Sequence, residues 1–254
     1  MLHRSILAVS IPVLLVLSSF FLALPELGHE TKAAARSGDP AAQVEMARMY
    51  YDGSLGVHDM DKVLFWLHKA VDQGYPDAQH ILGQFYVSGV GVKKDQDRGF
   101  SLIRAAAKQD YPPAQVFLAH AYGKGIGVER DVAGFLYWVQ RAAKNGDAQS
   151  QFNMAILRLS GSLVERDVSE ARAWLEKSAE QGYTDAQNTL GELLVRGVDQ
   201  EPDYVEACKW FAIAGTKGNP KANDNLVEIV KYMTRAEMDE AAARANLWLE
   251  VRGK

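Results

Sequence analysis

The residues whose types could do chemistry are few and scattered. His80 and His120 could ligate zinc, but a closed zinc site takes four nitrogen or sulfur ligands, and the two histidines stand at different offsets of the repeat with no thiol near them. Gly123-Lys-Gly-Ile-Gly127 has the glycine content of a phosphate-cradling loop. Such a loop links a strand to a helix, and no strand pattern precedes this one. There is no nucleophile elbow and no paired-histidine metal motif. Glu129-Arg-Asp131 and Glu165-Arg-Asp167 are charge runs that read as solvated loops. Cys208 lies beside Ala207 and two residues before Trp210, so it reads as a packed thiol, with an intermolecular disulfide as the alternative. These residues give no catalytic constellation, so an enzyme is not expected, and neither is a cofactor or a metal.

Composition narrows the field further. The 254 residues are 48% hydrophobic and 24% charged, ordinary for a folded chain. The net charge of -4 supplies no clustered Lys and Arg, so nucleic acid is not expected as a partner. A single cysteine excludes an intrachain disulfide.

The elements that position these residues are set by a repeat. Gly38, Gly74, Asp110, Gly146, Gly182 and Gly218 open similar segments, each 36 residues after the last. Gly53, Gly89, Gly125, Gly161 and Gly197 keep the same step, and so do Trp66, Leu102, Trp138, Trp174 and Trp210. Each unit reads as two helices. The first begins near Pro40, Pro76, Pro112 or Pro220, because proline suits the first helical turn. It ends at the Gly53 series, where glycine can close a helix in the left-handed conformation. The second helix carries the tryptophans. Core positions by helical spacing are Ala42, Met46, Ala47, Met49 and Tyr50, then Ala78, Leu82, Gly83, Phe85 and Tyr86. Small residues at Ala47, Gly83, Ala119, Ala155 and Gly191 would let helices approach closely. Neither helix can bury its apolar face alone, so the hairpins must stack.

Ala78-Gln79, Leu82-Gly83, Tyr86, Gly89-Val-Gly91-Val92, Trp138 with Arg141-Ala142-Ala143, and Gly146 together resemble the Sel-one-like repeat, a relative of the tetratricopeptide repeat. The resemblance covers residues 30 to about 250. It implies an all-α fold, a right-handed α/α superhelical solenoid of 36-residue helix-turn-helix repeats used for protein–protein contacts. Some exported members pair a cysteine on each helix of a repeat; with Cys208 alone, this chain departs from that branch. Leu102 replaces one tryptophan, and Arg158 replaces a tyrosine.

The ends differ from the units. Ile6 to Leu24 carries no charge, so residues 1–25 read as a signal peptide or a membrane anchor. Arg4 before the run and Glu26 and Glu30 after it favour a body outside the cytoplasm. The expected location is periplasmic, either secreted or anchored to the inner membrane by residues 5–24. Residues 26–37 read as an incomplete repeat helix, 38–233 as repeat units starting at 38, 74, 110, 146, 182 and 218, and 234–254 as a terminal cap. Thr234-Arg-Ala-Glu237 has the capping-box pattern, followed by Met238, Ala242, Ala245 and Leu249 as the expected buried face.

Positions free of the repeat can specify a partner. Two columns qualify on the first helices, which in such solenoids line the concave face. One is Glu45, Ile81, Phe117, Asn153 and Thr189; the other is Arg48, Gln84, His120, Ile156 and Glu192. Ile81, Phe117 and Ile156 are apolar where the core does not demand it, the mark of an interaction surface, although padding of an adjoining helix would also account for them. The expectation is a non-catalytic scaffold of the bacterial envelope that binds an envelope or secreted protein, touching membrane only through its N-terminal segment. Two alternatives stand beside it: a cell-wall enzyme or glycan binder, and a cytoplasmic-facing regulator. The tryptophans are read as core, so Trp138→Ala should cost about 3–5 kcal/mol in a denaturant melt; an unchanged midpoint would contradict that reading.

Overall fold

The computed structural model describes residues 28–198 and 200–252. The expected targeting segment, residues 1–25, lies outside them. The elements are α1 (28–37), α2 (Pro40–Asp52), α3 (Met60–Asp72), α4 (Pro76–Ser88), α5 (Gln96–Lys108), α6 (Pro112–Lys124), α7 (Val132–Lys144), α8 (Ala148–Ser160), α9 (Val168–Glu180), α10 (Thr184–Arg196), α11 (Tyr204–Thr216), α12 (Pro220–Ile229), a 3-10 turn (Val230–Tyr232) and α13 (Arg235–Arg252). Among the described residues there is no strand, and no helix is long and apolar enough to cross a membrane. The chain forms two compact units, Met1–Ala106 and Ala107–Lys254.

Each helix boundary has a chemical cause. Gly53, Gly89, Gly125, Gly161 and Gly197 close the first helices at φ of 77°, 80°, 70°, 67° and 59°, where a Cβ would be strained. The second helices begin at Asp59, Asp95, Asp131, Asp167 and Asp203, a further series with the 36-residue step. Each carboxylate accepts a backbone N–H of the first turn, as in Asp59 from Lys62 at 3.0 Å and Asp167 from Glu170 at 2.8 Å. Such a cap contributes about 1 kcal/mol. The Asp131 and Asp167 N–H groups donate back to the Tyr122 and Arg158 carbonyls, both at 3.0 Å. The charge runs in these loops are therefore solvated, as expected, yet their last residue sets where the helix begins.

A buried glutamine joins each of four hairpins to the helix before it. In the first unit the Gln43 amide donates to the Ala35 carbonyl at 3.2 Å. In the second, Gln115, Gln151 and Gln187 donate to Ala107, Ala143 and Ala179 at 3.0, 3.1 and 2.9 Å. These carbonyls belong to last turns, where each also accepts one backbone N–H, from Gly38, Asp110, Gly146 and Gly182 in turn, so the glutamine serves as a second donor. The glutamine oxygens are served in turn by Gln73, Asn145 and Gln181, at 2.9, 3.0 and 2.7 Å to Gln43, Gln115 and Gln151. Lys217 occupies that place in the next unit. Its ammonium lies over the Trp248 ring, 4.8 Å from the centroid, and the Gln187 side-chain oxygen has no partner among the described residues.

The cores follow the expected spacing. Trp66, Trp138 and Trp210 are buried, while Trp174 is half-buried and donates to Glu170 at 3.1 Å. A Cβ at Gly83 would meet the Ile103 side chain at 2.6 Å, and one at Gly191 would meet the Phe211 ring at 2.5 Å, so these helices touch through their missing side chains. Arg158 replaces tyrosine with an ion pair to Glu170 at 2.7 Å. Asp110 stands in the glycine series at φ 60°. It is held there by Arg141 and Asn145, at 2.6 and 2.8 Å from one carboxylate oxygen.

The C-terminal cap differs from its expected face. Met233 stands where the next glycine would fall, with φ -113°, and Thr234 starts α13 without the usual loop. The capping box forms: the Thr234 N–H donates to Glu237 at 2.7 Å, and the Glu237 N–H donates to the threonine hydroxyl at 3.3 Å. Ala241, Ala245 and Trp248 are buried, with Met238 and Leu249 half-buried, whereas Ala242 is exposed. Trp248 packs edge-on against Trp210 at 6.1 Å and donates to Glu180 at 3.2 Å.

Removing a glutamine amide should take one of two donors from a buried carbonyl, at a cost of about 0.5–1.5 kcal/mol. Gln151→Leu should cost about 2 kcal/mol in a urea melt, because it removes two hydrogen bonds, one to the Ala143 carbonyl and one from the Gln181 amide. Gln187→Leu should cost less, since its oxygen is already unserved; equal losses would contradict the pairing scheme.

Candidate partner-binding face

In the first unit, Glu45, Arg48 and Gln84 are exposed. The Arg48 guanidinium is committed to Asp77 at 2.7 Å. Ile81 is half-buried and packs against the unit's core, so packing explains part of its apolar character. This part of the two columns offers polar groups and little free apolar surface.

The second unit places the remaining six candidates on α6, α8 and α10. Phe117, Asn153, Thr189 and Glu192 are half-buried, His120 is exposed, and Ile156 is 39% exposed. Thr189 and Glu192 are brought together at a hollow of about 190 Å³, with Leu159, Leu193, Arg166 and Arg196. A second hollow of about 310 Å³ adjoins it, because Glu192 and Arg196 line both. Its other walls include Asn225, Glu228, Ile229 and Tyr232. The two form one groove along α10, flanked by α8 and α12.

The groove's polar groups are anchored by neighbours. Glu192 accepts hydrogen bonds from Asn188 at 2.9 Å and Asn225 at 3.3 Å. Arg166 donates its Nε to the Leu159 carbonyl at 3.2 Å. Tyr232, 65% exposed, stacks on Tyr204 with centroids 6.3 Å apart. Asn225, Glu228 and Tyr232 are the residues 36 positions after Thr189, Glu192 and Arg196. Extending the two columns by one step would have found the first two. Arg166 gave no signal, because it comes from a loop.

Of the residues weighed for chemistry, Arg166 lines the groove. Among the described residues no three His, Cys, Asp or Glu side chains form a metal-holding group. Cys208 is buried, and burial pushes its thiol pKa up, away from thiolate reactivity. His80 is 8% exposed, and desolvation lowers its pKa to about 4.

The Sel1 repeat pattern matches five consecutive segments, residues 40–75, 76–111, 112–147, 148–183 and 184–219. The chain belongs to the Sel1 repeat family. Members of this family are generally non-enzymatic scaffolds for protein interaction. The Sel1 repeat protein of Oxalobacter formigenes is 34% identical, with a TM-score of 0.71 over 78% of this chain and 57% of its own. A protective antigen of uropathogenic Escherichia coli strains displaying an SLR fold is 28% identical, with a TM-score of 0.71 over 86% of this chain and 48% of its own. The chain thus spans about half the length of these solved relatives. Among curated proteins there is no sequence match. The Sel1 likeness agrees with the all-α solenoid expected from the repeat.

The buried His80 of the first unit gives a pH signature. Its pKa is lower folded than unfolded, so its contribution is full above about 6.5 and is lost as pH falls towards 4. The melting temperature should fall between pH 7 and pH 5, and His80→Gln should flatten that fall. An equally steep fall in the variant would contradict the assignment.

Proposed function

We propose that this Sel1 repeat chain is a non-catalytic scaffold that holds a segment of a partner protein along the first helices. The groove along α10 carries the reading: core residues such as Leu193 and Phe211 wall it, while Thr189, Glu192 and Arg196 stand at positions whose residue type changes from repeat to repeat. The proposed contact residues are Glu45, Arg48, Ile81 and Gln84 in the first unit, and Phe117, His120, Asn153, Ile156, Thr189 and Glu192 in the second. Their action is steric and chemical complementarity without turnover. The partner is an envelope or secreted protein, because the uncharged run at residues 5–24 is preceded by Arg4 and followed by Glu26 and Glu30. Family membership supports the interaction role in general.

The test is photo-crosslinking in cells, with the probe at position 117 or 192 and a control at the exposed position 176 on α9. A defined protein should be captured from both groove positions and not from the control, and should bind the purified chain. Capture from the control alone, or of no protein from the groove despite normal folding, would contradict the proposal.

A further inference from the structure

The groove contains an arrangement that selects the chemistry of its occupant. Arg166 and Arg196 are exposed and line the same 190 Å³ hollow, one from the loop after α8 and one from the last turn of α10. Neither pairs with a carboxylate among the described residues. Arg141, Arg158, Arg235, Arg244 and Arg252 of the same unit do; Arg130 and Arg172 do not either, so what sets Arg166 and Arg196 apart is that they line one hollow. The nearest acid in the hollow, Glu192, already accepts two amide hydrogen bonds. The remaining walls are Leu159, Val168, Leu193 and Val198, with the Thr189 hydroxyl. An apolar pocket with two guanidinium groups that lack a carboxylate partner among the described residues, one of them held by its Nε on the Leu159 carbonyl, suits a carboxylate carried beside an aliphatic side chain. A guanidinium pairs with a carboxylate through two parallel N–H donors, and the aliphatic neighbour fills the pocket.

We propose that this hollow binds an Asp or Glu side chain of the partner segment, adjacent to a Leu, Ile or Val. The proposal rests on the docking reading above. It assigns Arg166 and Arg196 the recognition of the acid and Leu159, Leu193 and Val198 the recognition of the aliphatic group. The chain as a whole carries net charge -4, so the preference for acid comes from this local pair and not from the overall field. Added salt weakens it because both arginines are exposed.

The experiment is selection of a phage-displayed random 12-residue peptide library on the full chain, held in mild detergent. Enriched peptides should carry Asp or Glu within two positions of an aliphatic residue. One synthetic representative should lose about tenfold in affinity to Arg166→Gln and to Arg196→Gln, the size of one hydrogen-bonded charge pair. Circular dichroism melts of both variants should match the parent chain. If one variant unfolds, the other carries the test, and a peptide with Asn or Gln replacing the acid probes the intact chain. Enriched peptides without acidic bias, or binding indifferent to the arginines, would overturn the acid preference and leave the docking reading standing. No enriched peptide at all would overturn both.

Discussion

A helix that ends inside a stack of helices leaves carbonyl groups that need donors where water is scarce. In this chain a glutamine on the next hairpin supplies a second donor beside a backbone N–H, reaching the carbonyl eight residues back. That one hydrogen bond ties a first helix to the second helix before it, at a fixed depth. In Gln43, Gln115 and Gln151 the side-chain oxygen then receives an amide thirty residues ahead, so these three join the ends of two successive second helices. Hydrophobic burial supplies most of the stabilisation, but it is not directional. The buried amides set the angle and register at which the apolar faces meet, since a slipped stack would leave both ends of each amide unpaired.

This division of labour explains which residues are free. Within a first helix, one face meets its partner helix through Ala, Leu and Gly, and another carries the glutamine. A third, more exposed face lies away from both. On α10 it carries Thr189, Glu192 and Arg196; on α12 and the 3-10 turn after it, Asn225, Glu228 and Tyr232. The same backbone framework therefore presents a different chemical surface at each step, which suits a protein that distinguishes partners.

Much of the fold was legible in the sequence because the repeat writes each constraint several times. The glycine and tryptophan series gave the hairpins and the core. The glutamines were visible in the Ala78-Gln79 pattern, but spacing alone does not show that an amide points inward to a carbonyl. The Asp59 series looked like loop charge, since a cap and a solvated carboxylate have the same sequence signature. The α13 face was misread at Ala242 because two adjacent alanines, Ala241 and Ala242, both fit helical spacing to Met238 and Ala245. The buried set there is Ala241, Ala245 and Trp248, placed by contact with α11 and with Glu180. Of the candidate site, Thr189 and Glu192 came from the columns. Arg166 did not, because a loop residue joins a groove through chain reversal and not through helical spacing.

The central claim is that a partner lies on the first helices of the second unit and leaves the second helices uncovered. Hydrogen exchange, read by mass spectrometry on the full chain alone and saturated with the partner captured at position 192, tests it most directly. Slowed exchange should concentrate in α8, α10 and α12, with α9 and α11 unchanged. Slowing confined to α9, α11 or α13 would contradict it.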